Sequence, residues 1–337
     1  MISVIIPHFQ RVDLLRQTLD SLAAQTERDW EAIVVDDGSC QHDWDAVRAM
    51  ASDRVTVLLR TDGVKGPSRC RNLGWQAARG DLILFLDSDD LLGPDCLRQR
   101  RQVAEQLSTN DFWVFPVELF RENPGDLGLP WNQLSAAGEV LPRFLKGDGP
   151  WCVSSACWTK SALRRIGGFN EAVMYGDDAD LHIRALLAGL RFVQLSDRKA
   201  DIFIRRSDVP RITGTETGLS DPLLQSRVVR LTQGTVAIVQ AGADPRLLRL
   251  WQSQYFMEAE FLLFNVPDSS RRLRSLIQQW RMDFPQEGWR IMLTATYLGW
   301  CEFWRSRWYL QVRLARRIVM CVLPECWFPR RRPVGAG

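Results

Sequence analysis

Histidine is scarce in this chain of 337 residues: there are three, beside eight cysteines scattered without a C-x-x-C rhythm. The closest cysteine pairs, Cys152/Cys157 and Cys321/Cys326, have no neighbouring histidines, which argues against a zinc site. The start, MISVIIPHFQRVD, has no basic region leading into an apolar stretch and a small-residue cleavage site. No signal peptide is therefore expected, and the thiols are expected to be free in a reducing cytoplasm. No run reaches the roughly 18 apolar residues of a spanning helix, so no bilayer crossing is expected. Internal repeats are absent, and the only biased tract is the tail PRRRPVGAG, expected to be disordered.

The common nucleotide and hydrolase signatures are missing too. The first strand is not followed by G-x-G-x-x-G, and there is no G-x-x-x-x-G-K-[ST]. There is no G-x-S-x-G elbow, nor the glycine-rich loop with which nucleotidyltransferases wrap a triphosphate. Dinucleotide binding, P-loop chemistry and acyl hydrolysis lose their main supports.

What remains is an ordinary globular composition, 46% hydrophobic and 25% charged, long enough for one large domain or two ordinary ones. The net charge of +3 hides an asymmetry. From residue 223 onward there are 17 Lys+Arg against eight Asp+Glu, and before it 26 against 32. Seven of the 14 tryptophans lie beyond residue 250. Two regions with different jobs are expected.

Over the first hundred residues apolar runs alternate with helical patterns. Strands are predicted at 2–6 (ended by Pro7), 31–39, 54–60 and 81–86, with helices at 11–25, 46–52, 66–78 and 93–107. This cadence predicts an α/β fold with a mixed, mostly parallel sheet and helices on both faces. A further strand is expected over 111–120, a loop over 123–133, a strand, short helix and Gly-Gly turn over 151–171, and a helix over 180–187 ended by Gly189. Beyond about 222 the pattern is helical.

Ligands of such sheets bind beyond the C-terminal ends of the strands. Pro7-His8-Phe9, Asp36-Asp37-Gly38 and Asp87-Ser88-Asp89-Asp90 all fall there. Asp87 and Asp89 can turn toward one hard cation, since Mg²⁺ and Mn²⁺ favour one or two carboxylates plus substrate phosphates. Capping the next helix would explain the same residues. Asp37 could accept the imide N–H of a uracil-like base or close a turn. Phe9 could stack on that base or fill core. Arg71 could pair with Asp89 or contact a nucleotide. In YGDDADLHIR, Asp177 and Asp178 open a helix whose dipole favours negative charge. Asp178, one residue further inside, is the candidate for a base pointing into the cleft while Asp177 caps.

The ordered set SVIIPHFQR, DWEAIVVDDGS, GPSRCRNLGWQAARGDLILFLDSDD, GGFNE and GDDADL, over about residues 1–200, resembles the family-2 inverting glycosyltransferases of GT-A fold. The resemblance implies a nucleotide-diphospho-sugar donor, read as a UDP-sugar, and a divalent cation, Mn²⁺ or Mg²⁺. It implies that Pro7 and Phe9 lie beside the base and Asp37 on its edge. Arg71 falls in the family's A-R-N motif, and Asp87, Ser88 and Asp89 in its D-x-D, where Asp87 and Asp89 bind metal. Asp178 matches the general base of its E-D motif. Here the pair is Asp-Asp, and Ala179 replaces the aromatic that often follows. No Q-x-x-R-W is present, which argues against a processive synthase.

The implied organisation is a catalytic domain over 1–220, a helical domain over 221–328 and a tail over 329–337. In 300–323, Trp300, Trp304 and Trp308 form a stripe extended by Val312, Ala315 and Val319, with arginines elsewhere. Such a helix suits peripheral contact with the cytoplasmic face of a membrane, or packing on the catalytic domain or a second copy. The acceptor is expected to be a saccharide or lipid-linked hydroxyl. A nucleic-acid partner is not expected, since no binding motif accompanies the basic residues. The competing reading is a binder of the same shape without turnover; a spoiled base or D-x-D would favour it, and both are intact.

Overall fold

The computed structural model describes residues 1–63, 65–131, 133–134, 137–206, 221–266, 270–288, 290–292, 294–296 and 298. The expected helix at 300–323 and tail at 329–337 lie outside the described residues. The chain divides into two compact units, Met1–Val140 with Pro150–Val209, and Leu141–Gly149 with Pro210–Gly337.

In chain order the first elements are β1 (Ile2–His8), α1 (Val12–Ala23), β2 (Trp30–Asp36), α2 (Gln41–Arg48), β3 (Val55–Leu59), α3 (Pro67–Ala77), β4 (Leu82–Phe85) and β5 (Leu91–Leu92). Then come α4 (Cys96–Gln106), β6 (Phe112–Val114), β7 (Glu118–Phe120), β8 (Leu129–Pro130), α5 (Val140–Leu145), β9 (Ala156–Thr159), α6 (Lys160–Ile166), α7 (Asp177–Leu187), β10 (Phe192–Gln194) and β11 (Ile202–Arg205). A seven-stranded sheet has the order β10-β6-β9-β4-β1-β2-β3, with β9 antiparallel to both neighbours and every other pair parallel. A four-stranded sheet has the order β5-β11-β7-β8. The mixed, mostly parallel α/β architecture is as the cadence predicts.

Side-chain alternation puts a helix on each face of the central strands. Ile2, Val4 and Ile6 are buried in one cluster with Leu15 and Leu22 of α1. Ile5, on the other face, lies under α3, where a Cβ on Gly74 would come within 2.3 Å of its Cγ2. That methyl belongs to a β-branched side chain in a packed strand and cannot swing away. Gly74→Ala is therefore expected to destabilise the protein by about 1–3 kcal/mol, read as a lower urea midpoint at unchanged m-value. An unchanged midpoint would mean that α3 packs less tightly than this.

Four sequence expectations are corrected. Pro7 does not end β1, which runs on to His8. Ile5 O accepts from Leu86 N, and Asp37 N donates to His8 O, so odd positions face β4 and even positions face β2. The β1–β4 ladder stops at Ile5–Phe85, so the N–H that proline lacks has no partner to lose. The expected strand at 111–120 is two strands in different sheets, β6 and β7, separated by the segment that holds Pro116. The expected loop at 123–133 contains β8, and α7 begins at Asp177 rather than Asp180. Cys40, Cys70, Cys96, Cys152 and Cys157 are free thiols, as expected.

The second unit contains α8 (Asp221–Gln240), α9 (Pro245–Asn265) and α10 (Ser270–Asp283). Leu231, Trp251, Tyr255, Leu263, Leu276 and Trp280 form its buried interior. Gly234 leaves room for the Trp251 ring, and the indole N–H donates to Leu231 O at 3.0 Å. Arg227 and Glu258 form a buried ion pair at 2.6 Å. Removing one partner of such a pair would leave an uncompensated charge in the interior. Among the described residues no helix is long and apolar enough to cross a membrane.

Candidate active site

Three adjacent parallel strands, β2, β1 and β4, end at the same edge of the large sheet. The connections after β1 and β4 pack together on one face, where Leu15 and Leu22 of α1 share a buried cluster with Leu92, Cys96 and Leu97. The crevice beyond the strand ends is where such sheets take ligands.

The corner after β1 is sharply built. Gln10 has φ 54°, the one left-handed non-glycine residue among those described. Such a residue persists only when its surroundings hold it. Gln10 N–H donates to Ser39 Oγ at 3.0 Å, and Arg11 N–H to His8 Nε2 at 3.2 Å. Because Nε2 accepts, the ring proton sits on Nδ1 and is donated to Asp36 Oδ2 at 2.7 Å. Ser39 Oγ donates to the same oxygen at 2.7 Å, and Ser39 N–H to Oδ1 at 2.8 Å. Burial alone would raise the pKa of Asp36, but the bonds from His8 and Ser39 prevail and hold it low. Asp36 is thus an anchor that sets the corner from beneath.

That corner presents Phe9 and Arg11. Phe9 is 41% exposed, so it does not fill core, and Lys65 Nζ lies 4.5 Å from its ring centroid. Pro7 is half-buried behind it. Asp37 accepts from Gly66 N–H at 2.8 Å and pairs with Arg60, a buried guanidinium that also reaches Asp62 at 2.5 Å. Burial outweighs these contacts and raises the Asp37 pKa.

After β4 the carboxylates divide their work. Asp90 is buried and structural, accepting Arg205 N–H at 3.0 Å while its carbonyl accepts from Thr18 Oγ1 at 2.9 Å. Ser88 is buried in the turn closed by Asp90 N–H on Asp87 O. Asp89, 9% exposed, receives Arg11 Nη1 at 2.9 Å. Asp87 is the open one, at 43%.

Arg71 of α3 joins this turn to α7. Its Nη2 donates to Asp87 Oδ1 at 2.8 Å and its Nη1 to Asp177 Oδ2 at 2.6 Å, with the guanidinium buried over the Phe169 ring. Ser68 Oγ donates to the same Asp177 oxygen at 3.0 Å. Two expectations are corrected here. The carboxylates that Arg71 bridges are Asp87 and Asp177, while Asp89 is paired with Arg11. Asp177 does not cap α7, whose N-cap is Gly176; a buried cation reaches it first. Asp178 beside it accepts Ala179 N–H at 2.8 Å, and among the described residues no cation contacts it. Burial and the neighbouring Asp177 charge push the Asp178 carboxyl up to about 6.

Arg11, Arg60 and Lys65 escaped the sequence reading. The strand-end rule applied to cations would have found the first two: Arg60 directly follows β3, and Arg11 stands three residues past β1. No cluster of three His, Cys, Asp or Glu side chains fit to hold a metal occurs among the described residues. A two-carboxylate set still fits Mg²⁺ or Mn²⁺, which take most of their shell from phosphate and water. Asp87 accepts its guanidinium bond on Oδ1 alone, leaving Oδ2 for such an ion.

Residues 3–158 match the sequence profile of glycosyl transferase family 2. A protein of Haemophilus influenzae named as an uncharacterized glycosyltransferase is 34% identical over 190 residues, 55% of this chain and 62% of its own length. The chain thus spans less than two thirds of that relative, and less still of several others. The crystal structure of S. aureus TarS 1-349 in complex with UDP superposes with a TM-score of 0.68 at 16% identity, over 91% of this chain and 92% of that one. The mannosyltransferase PcManGT of Pyrobaculum calidifontis, in complex with GDP-Man and Mn²⁺, gives 0.51 at 17%, over 91% and 88%. At these identities the likeness speaks for the fold alone. With the strand ends and Arg71 inside the matched segment, residues 3–158 carry the profile of glycosyl transferase family 2, and the chain is built on the GT-A fold.

Proposed function

We propose that the protein transfers one sugar, with inversion, from a nucleotide-diphospho-sugar to an acceptor hydroxyl. The carrying observation is the single guanidinium of Arg71, which holds Asp87 and Asp177 in one pocket. The leaving-group end of the reaction and its base are thereby neighbours. In the reaction the acceptor oxygen attacks the anomeric carbon, the bond from that carbon to the diphosphate breaks, and its electron pair leaves with the diphosphate. Asp178 takes the hydroxyl proton as attack proceeds. Asp177 is committed elsewhere: its Oδ2 accepts both Arg71 and Ser68, and its charge is paired with the buried guanidinium. Asp87 and Asp89 would hold a divalent cation, which supplies neutralisation of the departing diphosphate. Phe9 offers an exposed face to the base, with Pro7 beside it and Asp37 at its edge. Ser88 shapes the turn.

UDP in TarS and GDP-Man with Mn²⁺ in PcManGT support this donor class. A UDP-sugar is the first choice, with a saccharide or lipid-linked hydroxyl as acceptor and 221–328 as the region that meets acceptor, membrane surface or a second copy. Incubation with UDP-, GDP- and dTDP-sugars and Mn²⁺, read by mass spectrometry of products, tests it. Stabilisation by nucleoside diphosphates without turnover of any donor would instead mark a binding protein.

The raised Asp178 carboxyl has a kinetic consequence. A base must be ionised, so kcat/KM should rise about tenfold per pH unit below about 6 and level off above it. A profile flat from pH 5 to 7 would exclude Asp178 as the base.

A further inference from the structure

We propose that Arg11 is a built-in counter-ion of the D-x-D turn, which the divalent cation must displace and which ties cation binding to the arrival of a diphosphate. The inference rests on the cation site proposed above and concerns how that site is filled.

Arg11 Nη1 donates to Asp89 Oδ2 at 2.9 Å. The two residues are 78 positions apart and lie at the ends of β1 and β4. Asp89 is 9% exposed and Arg11 29%, so the carboxylate is fixed in the wall while the guanidinium lies at its mouth. The corner that aims Arg11 there is expensive. It needs Gln10 at φ 54°, and it is held by Ser39 on the Gln10 N–H and His8 on the Arg11 N–H, both braced on Asp36. Both residues bonded to those amides are anchored in the buried end of β2, not in the donor pocket. The backbone therefore stays in place when the guanidinium moves.

Whichever oxygen the ion takes, a guanidinium held 2.9 Å from Asp89 Oδ2 repels a second cation at that carboxylate and draws on its charge. In the donor-free protein Arg11 neutralises Asp89 and weakens its hold on a cation. A diphosphate reaching the crevice is a better partner for a planar guanidinium, since it can accept two parallel bonds. Drawing Arg11 onto the diphosphate frees Asp89 for the ion. Cation and diphosphate then favour each other reciprocally beyond their direct contact.

The test is Mn²⁺ binding, followed by the electron paramagnetic resonance signal of free Mn²⁺, with and without UDP. For Arg11→Met, Mn²⁺ alone should bind about three- to tenfold tighter than in the wild type. UDP should then enhance Mn²⁺ binding less than it does in the wild type. Arg11→Lys, a point charge without the fork, should fall between them. A residue that merely supported the fold would change affinity the other way, so unchanged or weaker Mn²⁺ binding in Arg11→Met overturns the inference. If the wild type binds no Mn²⁺ even with UDP, the cation site itself is wrong and the inference falls with it. Asp89→Asn, expected to lose Mn²⁺ in both conditions, separates these cases.

Discussion

Asp178→Asn is expected to lower kcat/KM by about 10²- to 10⁴-fold while leaving the fold intact, because it removes a general base and little else. The amide oxygen can still accept the Ala179 N–H that Asp178 accepts at 2.8 Å. No cation loses a partner, since none among the described residues contacts Asp178. One of two adjacent carboxylates disappears, which relieves the repulsion that pushes its pKa upward, so thermal stability should hold or rise slightly. Steady-state kinetics with saturating donor, alongside a melting curve, checks both halves. Full activity in the variant would remove Asp178 from the chemistry. Loss of activity together with loss of fold would point to an architectural role instead.

Arg71→Ala should have the largest effect on stability. Asp177 is buried against Arg71, and taking away one partner of a buried ion pair leaves a charge in low dielectric, at a cost of about 3–5 kcal/mol. Asp87, 43% exposed, adds little, because water screens it. The pH dependence has a definite sign. Burial already raises the pKa of Asp177, and removing Arg71 raises it further. The penalty is therefore felt while Asp177 is ionised and shrinks as acid protonates it, so the stability gap should narrow toward low pH. Arg71→Lys should not rescue: one ammonium cannot span both carboxylates in the fork geometry. Urea denaturation at two pH values measures the gap, and equal gaps would mean that Asp177 is neutral beside Arg71.

The parts of the site legible in the sequence were those set by period and position. Strands β1, β2 and β4 read as apolar runs, and polar residues just past them had to meet at one edge of a parallel sheet. The same rule brings Phe9, Asp37 and Asp87 to Asp89 together. It failed where a residue's role depends on its partner. Asp177 looked like a helix cap because only its own helix was in view; Ser68 and Arg71 reach it from α3, more than a hundred positions earlier. Pro7 looked like a terminator because the sequence does not show that β4 has already left its side of the ladder. Arg100, between the exposed Arg98 and Arg101, is fully buried against Asp201 and the Phe115 ring, a difference that only packing decides.

By itself the sequence determined the order of elements, the parallel sheet and which polar residues would crowd its C-terminal edge, because alternation and strand ends are local properties of a chain. Only the tertiary structure decided how those charges pair: Arg71 with Asp87 and Asp177, Arg11 with Asp89, Arg60 with Asp37. A guanidinium chooses its carboxylate by distance and burial, and both are set by how distant segments pack.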